Sequence, residues 1–258
     1  MVLAYERETS QSAKNAIAQI LINSKMCALG KRPICQDTGI VNVFVEVGMS
    51  VEWDSEFSLE DMINEGVRRA YNEPDNRLRA SIVSDPLFGR KNTQDNTPAV
   101  IHTKIVKGRK LDITVAAKGG GSENKSKFTV LNPDDSLTDW VLKTVPKMGA
   151  GWCPPGMIGI GVGGTAEKAM LMAKSSLMEP IDINEIKDKS NPSEIEKLRI
   201  DLFNKINALG IGAQGLGGLT TVLDVKINDY PTHAASLPVA MIPNCASTRH
   251  VHFSLDGS

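Results

Sequence analysis

Four successive residues between Pro33 and Gly39 carry groups that could do chemistry: a thiol on Cys35, an amide on Gln36, a carboxylate on Asp37 and a hydroxyl on Thr38. Pro33 biases the residue before it away from helix and Gly39 tolerates a positive φ, so the spacing predicts a tight turn that presents these groups. Two further cysteines share that setting: Cys153 precedes Pro154 and Pro155, and Cys245 follows Pro243 and Asn244. Three turn-borne thiols suit one metal centre with a coordination position left open. That centre would be a catalytic zinc, or an iron–sulfur cube in which one iron lacks a thiolate and acts as a Lewis acid. The intervals are long and no CxxC pair occurs, so any shared site has to be assembled by the fold. Cys27, late in a helical stretch near Met26 and Leu29, reads instead as a thiol packed like a small hydrophobe.

Anion chemistry is suggested elsewhere. Gly119, Gly120 and Gly121 stand between Lys118 and Lys125, and consecutive glycines let main-chain N–H groups approach a phosphate or carboxylate closely. Arg77 and Arg79 lie on a Pro/Asp/Asn-rich turn behind Pro74. His233, between Thr232 and a run of small residues, is a candidate for proton transfer or carboxylate binding. His102, His250 and His252 fall in strand patterns and read as structural. The glycines from Gly159 to Gly164 match a dinucleotide-binding spacing, but Pro154 and Pro155 occupy the place of the strand that should precede them. A second glycine-rich loop runs over 210–218.

The elements that position these groups are readable from periodicity. Residues 9–29 predict a helix stopped by Gly30, and residues 40–47 a β-branched strand. Ser58 and Asp61 form a capping-box pattern for a helix that Pro74 ends. Residues 99–106 and 111–117 predict two strands joined by 107–110 as an antiparallel hairpin. A helix over 140–148 should be kinked or cut short by Pro146. A strand over 157–162, a helix from Thr165 to Met178, a helix from Ser193 to Leu209, and strands over 220–227 and 239–242 complete the pattern. Strands and helices interleave, which predicts an α/β fold of mixed β-sheets with surrounding helices and glycine-rich loops at the site.

Composition bounds the class. With 258 residues, 41% hydrophobic and 23% charged, the chain buries a good core as one large or two small domains. A net charge of −1 gives no electrostatic case for nucleic acid or a membrane surface. No apolar run reaches the roughly 18–20 residues of a membrane span, and the N-terminus lacks a charged-then-apolar signal pattern, so a cytoplasmic location is expected, or an organelle matrix if a transit segment has been removed.

Five motifs together resemble a known family: Cys-Gln-Asp-Thr-Gly at 35–39, Lys-Gly-Gly-Gly-Ser-x-Asn-Lys at 118–125, Cys-Pro-Pro at 153–155, Leu-Gly-Ile-Gly-Ala-Gln at 209–214 and Asn-Cys-Ala-Ser-x-Arg at 244–249. They are similar to the N-terminal half of class I, iron–sulfur-dependent fumarases, a half shared as the α subunit by two-subunit fumarases and L-tartrate dehydratases. The resemblance implies that residues 1–258 are the cluster-binding domain, with Cys35, Cys153 and Cys245 holding a [4Fe–4S] cluster. It implies that Gln36, Asp37, Arg79, Gly119, Gly120, Gly121 and His233 line the substrate site, with Asp37 and His233 as catalytic candidates. The implied reaction is reversible hydration of fumarate to S-malate, a step of the tricarboxylic acid cycle. Tartrate dehydration is the alternative, and a non-catalytic electron-transfer protein using Cys27 as fourth ligand is a rival. The implied partners are a small dicarboxylate, a C-terminal half or β subunit carrying the proton-abstracting base, and a second copy in a homodimer. The sequence ends at Ser258 without that second half, so the chain by itself is expected to be inactive.

Overall fold

The computed structural model describes residues 1–76 and 78–256; Arg77, one of the two arginines singled out above, and Gly257 and Ser258 lie outside the described residues. In chain order the elements are α1 (Val2–Arg7), α2 (Gln11–Gly30), β1 (Ile40–Gly48), α3 (Leu59–Tyr71), β2 (Val83–Ser84), β3 (Lys91–Asn92), β4 (Val100–Val106) and β5 (Leu111–Lys118). There follow α4 (Gly120–Glu123), β6 (Lys127–Leu131), α5 (Leu137–Met148), β7 (Gly156–Gly163), α6 (Ala166–Ser176), α7 (Ile183–Lys187), α8 (Glu194–Ala208), β8 (Val222–Tyr230), β9 (Leu237–Asn244) and β10 (His250–Leu255). The mixed α/β class expected from the sequence is what forms. The chain divides into two compact units, one of residues 1–26 and 121–247, the other of residues 27–120 and 248–258.

The smaller unit is built on a four-stranded sheet in the order β10-β5-β1-β4. β1 is central because its alternate residues Val41, Val43 and Val45 are buried, where they meet Val67 and Tyr71 of α3 and Leu111 and Ile113 of β5. Each such valine removed from water contributes on the order of 1.5–3 kcal/mol. α3 starts at the expected capping box: the Asp61 N–H donates to Ser58 Oγ and the Ser58 N–H to the Asp61 carboxylate. The predicted β4–β5 hairpin does not form. β4 pairs parallel with β1, and β5 pairs antiparallel with it, so β1 lies between them. Residues 107–110 instead cross the end of β1, where the Gly48 N–H donates to the Lys110 carbonyl and the Ser50 N–H to the Gly108 carbonyl. Gly48 permits the crossing, since a Cβ there would sit 2.5 Å from the Gly108 oxygen.

The larger unit has the sheet order β6-β9-β7-β8, with β7 parallel to β8 and antiparallel to β9. On one face Ile158 and Ile160 pack with Val141 and Val145 of α5 and Leu202 and Ile206 of α8. On the other, α6 lies directly on β7. A Cβ at Gly159 would meet the Ala173 carbonyl at 2.1 Å, and one at Gly161 the Ala169 carbonyl at 2.0 Å. Those glycines therefore serve helix-on-strand packing, in agreement with setting the dinucleotide spacing aside. α8 carries its expected capping box on Ser193 and Glu196. Two local expectations change. The left-handed residue closing α2 is Lys31, at φ +48°, rather than Gly30. α5 begins at Leu137 behind Ser136, and Pro146 sits inside its last turn without ending it. β6, at the sheet edge, has no counterpart among the expected strands; its five residues alternate in exposure, with Phe128 and Val130 on the open side.

α8, β8 and the N-cap residue of α7 are joined by a buried ion cluster. Arg199 Nη2 reaches Asp182 Oδ1 at 2.5 Å and Asp224 Oδ1 at 3.1 Å, and Lys226 Nζ reaches Asp182 Oδ1 at 2.6 Å and the Pro180 carbonyl at 2.5 Å. Two cations and two anions satisfy one another in a site where an unpaired charge would be costly. Burial alone would raise the Asp182 carboxyl, but the hydrogen bonds and charges of Arg199 and Lys226 outweigh it and hold the pKa at about 2.

Candidate active site

In the smaller unit the turn from Cys35 to Gly39 is clamped from several directions. Asp37 is the hub: Oδ1 accepts the Gly39 N–H at 2.9 Å and Oδ2 the Gly120 N–H at 2.7 Å, while Arg249 Nη1 donates to the Asp37 carbonyl at 2.5 Å. Thr38 is buried; its hydroxyl donates to the Arg79 carbonyl and its own carbonyl accepts the Tyr71 hydroxyl at 2.8 Å. Burial pushes the Tyr71 phenol up, against the opposing pull of the Arg249 charge and the Thr38 hydrogen bond. Gly39, at φ +86°, passes so near β5 that a Cβ would stand 2.8 Å from the Ala117 backbone. Fully buried Asn96 fastens it further, donating to the Gly39 carbonyl at 3.0 Å and accepting the Ser81 N–H at 2.7 Å. Cys35 is half-buried with Sγ 3.3 Å from Gln36 Oε1, and Gln36 and Arg79 are exposed.

The Gly119–Gly121 segment differs from the open loop expected. Residues 120–123 form one helical turn, and the Gly120 N–H is already taken by Asp37. A Cβ at Gly119 would lie 3.4 Å from Asp37 Oδ2 and 3.5 Å from Arg249 Nη2, and one at Gly121, in the larger unit, 3.0 Å from the Gly151 carbonyl. Cys27 is half-buried rather than packed away, and its thiol donates to the Pro33 carbonyl at 3.3 Å, closing the passage from α2 to the turn. Arg249 closes the Asn-Cys-Ala-Ser-x-Arg motif, and no local pattern marks it as a partner of Asp37. It follows Cys245 by four residues, and that spacing was the one available sign of its proximity to the site.

In the larger unit the turns of Cys153 and Cys245 meet at one end of the sheet. Cys153 is exposed and left-handed at φ +57°, and its carbonyl accepts the Ala246 N–H at 3.3 Å. A Cβ at Gly156 would fall 1.9 Å from the Asn244 carbonyl, so glycine is what brings the two turns together. His233 lies elsewhere. It is exposed in the connection from β8 to β9, its Nδ1 accepting the Ala235 N–H at 3.1 Å, while Cys245 follows the other end of β9. Eight strand residues separate those ends by about 25 Å. Among the described residues neither unit by itself gathers three or more His, Cys, Asp or Glu side chains in an arrangement that holds a metal ion.

The sequence matches the family model described as fumarate hydratase (fumerase) over residues 1–254. The chain belongs to this family. Among fumarase-family relatives, the putative L(+)-tartrate dehydratase subunit alpha of Methanocaldococcus jannaschii is 37% identical, across 95% of this chain and 86% of that protein. The anaerobic class I fumarate hydratase of Escherichia coli K12 is 29% identical, across 96% of this chain but 46% of its own length. The L(+)-tartrate dehydratase subunit alpha of the same strain is 28% identical, across 95% of this chain and 79% of that subunit. Membership makes the chain part of a hydro-lyase. Among the described residues no helix is long and apolar enough to cross a membrane.

Proposed function

We propose that this fumarase-family chain is the cluster-bearing α-type subunit of a two-part dehydratase acting on a four-carbon hydroxydicarboxylate, with L-tartrate as the first substrate to test. The observation that carries the order of substrates is the pair of matches above. The relative sharing most identity of the three is named as a tartrate dehydratase α subunit, and the chain spans most of it, whereas it spans under half of the single-chain fumarase. Fumarate hydration is the second reading. Cys35, Cys153 and Cys245 would hold a [4Fe–4S] cluster. The donor set fits, being all thiol and carried on turns, with Cys153 exposed and its turn bonded to that of Cys245. When bound, the cluster supplies a Lewis-acidic iron for the substrate hydroxyl.

The chain's own residues bind and orient. Arg79 and the remaining glycine N–H groups neutralise the substrate carboxylates, and Gln36 offers a neutral hydrogen-bonding group beside Cys35. With both its oxygens on main-chain N–H groups, Asp37 fixes the turn and the first glycines relative to each other. The opposite ends of the larger sheet hold His233 and the Cys153–Cys245 turns, so His233 would serve a cluster site from a second copy in a homodimer. The proton-abstracting group is assigned to a β-type partner: a base has to come within ~2.6–3.2 Å of the reacting proton, whereas both Asp37 oxygens are engaged by main-chain N–H groups and His233 stands at the far end of the larger sheet from the Cys153–Cys245 turns. The test is turnover of L-tartrate and of fumarate, measured anaerobically on the reconstituted chain with and without that partner. Activity with tartrate only in the pair supports the proposal. Equal rates with and without the partner would place the base in this chain, and turnover of fumarate alone would restore the second reading.

A further inference from the structure

The second glycine-rich loop, residues 210–218, has no part in the proposed function, yet it is held at both ends and across its middle. It closes on itself: the Gly217 N–H donates to the Ile211 carbonyl, and a Cβ at Gly212 would fall 1.7 Å from the Gly217 oxygen. One end is pinned by the Gly212 N–H on Thr221 Oγ1 at 3.0 Å. The other is pinned by Glu8, whose Oε2 accepts the Leu219 N–H at 2.9 Å while Oε1 accepts the N–H groups of Thr9 and Ser10. Burial would raise the Glu8 carboxyl, but these main-chain donors outweigh it and hold it below its ordinary value.

What the loop presents is Gln214, itself left-handed at φ +54°. Its main-chain N–H and its side-chain Nε2 both donate to the Pro154 carbonyl, each at 2.7 Å. Next to it, Gly215 sits where a Cβ would fall 2.5 Å from Ala150 Cβ. The loop thus grips the chain on both sides of Cys153, at Ala150 before it and at Pro154 after it. Cys153 needs such a grip. A left-handed conformation is uncommon for a residue with a side chain and persists where surrounding structure over-determines it. Pro154 and Pro155 bring no N–H of their own with which to brace the turn.

We propose that loop 210–218 is a rigid bracket and that Gln214 is a positioning residue, holding the Cys153 thiol in the direction a cluster ligand needs; the inference rests on the cluster reading above. Gln214→Met keeps the side-chain length and removes the amide donor. Ser193→Ala, which removes an α8 cap, controls for a general loss of stability. Two quantities are read on the whole chain: the rate at which anaerobically reconstituted protein releases iron to a chelator, and the rate at which each cysteine of the iron-free protein is alkylated, followed by mass spectrometry. We expect Gln214→Met to release iron on the order of five-fold faster than wild type, a factor within reach of one lost hydrogen bond. We also expect it to change the alkylation rate of Cys153 by a similar factor and leave Cys245 alone, with Ser193→Ala matching wild type in both. If the glutamine variant does not fold, Gln214→Gly, which relieves the left-handed strain and removes the same donor, takes its place with the same expectations. A wild-type chain that takes up no cluster overturns the cluster reading and this inference with it. A wild type that loads normally, beside a variant with unchanged iron release and unchanged Cys153 alkylation, overturns the inference alone.

Discussion

Asp37 shows how far a side chain's chemistry depends on what its neighbours already ask of it. A carboxylate beside Cys35 and Gln36 reads from sequence as a group for the substrate, yet each oxygen accepts a main-chain N–H, from Gly39 and from Gly120. Asn at this position keeps one good acceptor and turns an NH2 towards the other donor. A hydrogen bond to a charged group is worth about 1.5–3 kcal/mol, so Asp37→Asn should lower kcat/KM of the assembled enzyme by roughly 10–100-fold. Steady-state kinetics on both candidate substrates would show it, and an unchanged kcat/KM would remove Asp37 from any positioning role. The cysteines separate in the same way. Cys35→Ser, Cys153→Ser and Cys245→Ser should each abolish the broad visible absorbance of a reconstituted cluster, because each removes a thiolate. Cys27→Ala should keep it, since that thiol is engaged with the Pro33 carbonyl. Loss of the absorbance in Cys27→Ala would favour a four-cysteine electron-transfer centre. At this scale the residue types were legible in the sequence, whereas their partners were not. Arg249 touches Asp37 across more than two hundred residues of chain, a distance over which no local pattern carries information.

Elements were most legible where one local rule decided them. The capping boxes at Ser58 and Ser193 and the β-branched strand β1 all formed where the local residue types placed them. The β4–β5 hairpin failed for a reason of the same kind. Two strands separated by four residues satisfy the local rule for pairing, but β1 is more apolar than either, and the sheet buries it best by taking it between them. The glycines of β7 show the converse, a pattern that invites a ligand motif and proves to be packing. Gly161→Ala would drive a methyl to within 2.0 Å of the Ala169 carbonyl, a backbone atom that cannot swing aside. Overpacking in a core costs about 1–3 kcal/mol or more, so this variant should unfold several degrees below wild type. Thermal denaturation followed by circular dichroism would check it, and an unchanged midpoint would mean that α6 is free to slide along β7.

For the molecule as a whole, acid should be most damaging through the ion cluster of Asp182, Arg199, Asp224 and Lys226. The folded Asp182 carboxyl titrates at about 2, below its ordinary value of 3.8, so the folded state favours the charged form. The stability that follows is fully present above pH 3.8 and is lost as pH falls through about 2, trimmed by the partial exposure of this side chain. Unfolding midpoints measured between pH 5 and pH 2 should therefore drop over that window, and less steeply in Asp182→Asn; identical profiles would show that the cluster contributes nothing to acid stability. The insertion of β1 between β4 and β5 bears on how the chain comes together during synthesis. Among the described residues, no ladder of the four-stranded sheet β10-β5-β1-β4 joins strands adjacent in sequence: β1 finds β4 nearly sixty residues on, and β5 finds its outer partner β10 only after residues 121–247 have been made. Loop closure over such distances is slow, so on the ribosome the continuous run 121–247 has the means to fold while the flanking unit still waits for its outer strand.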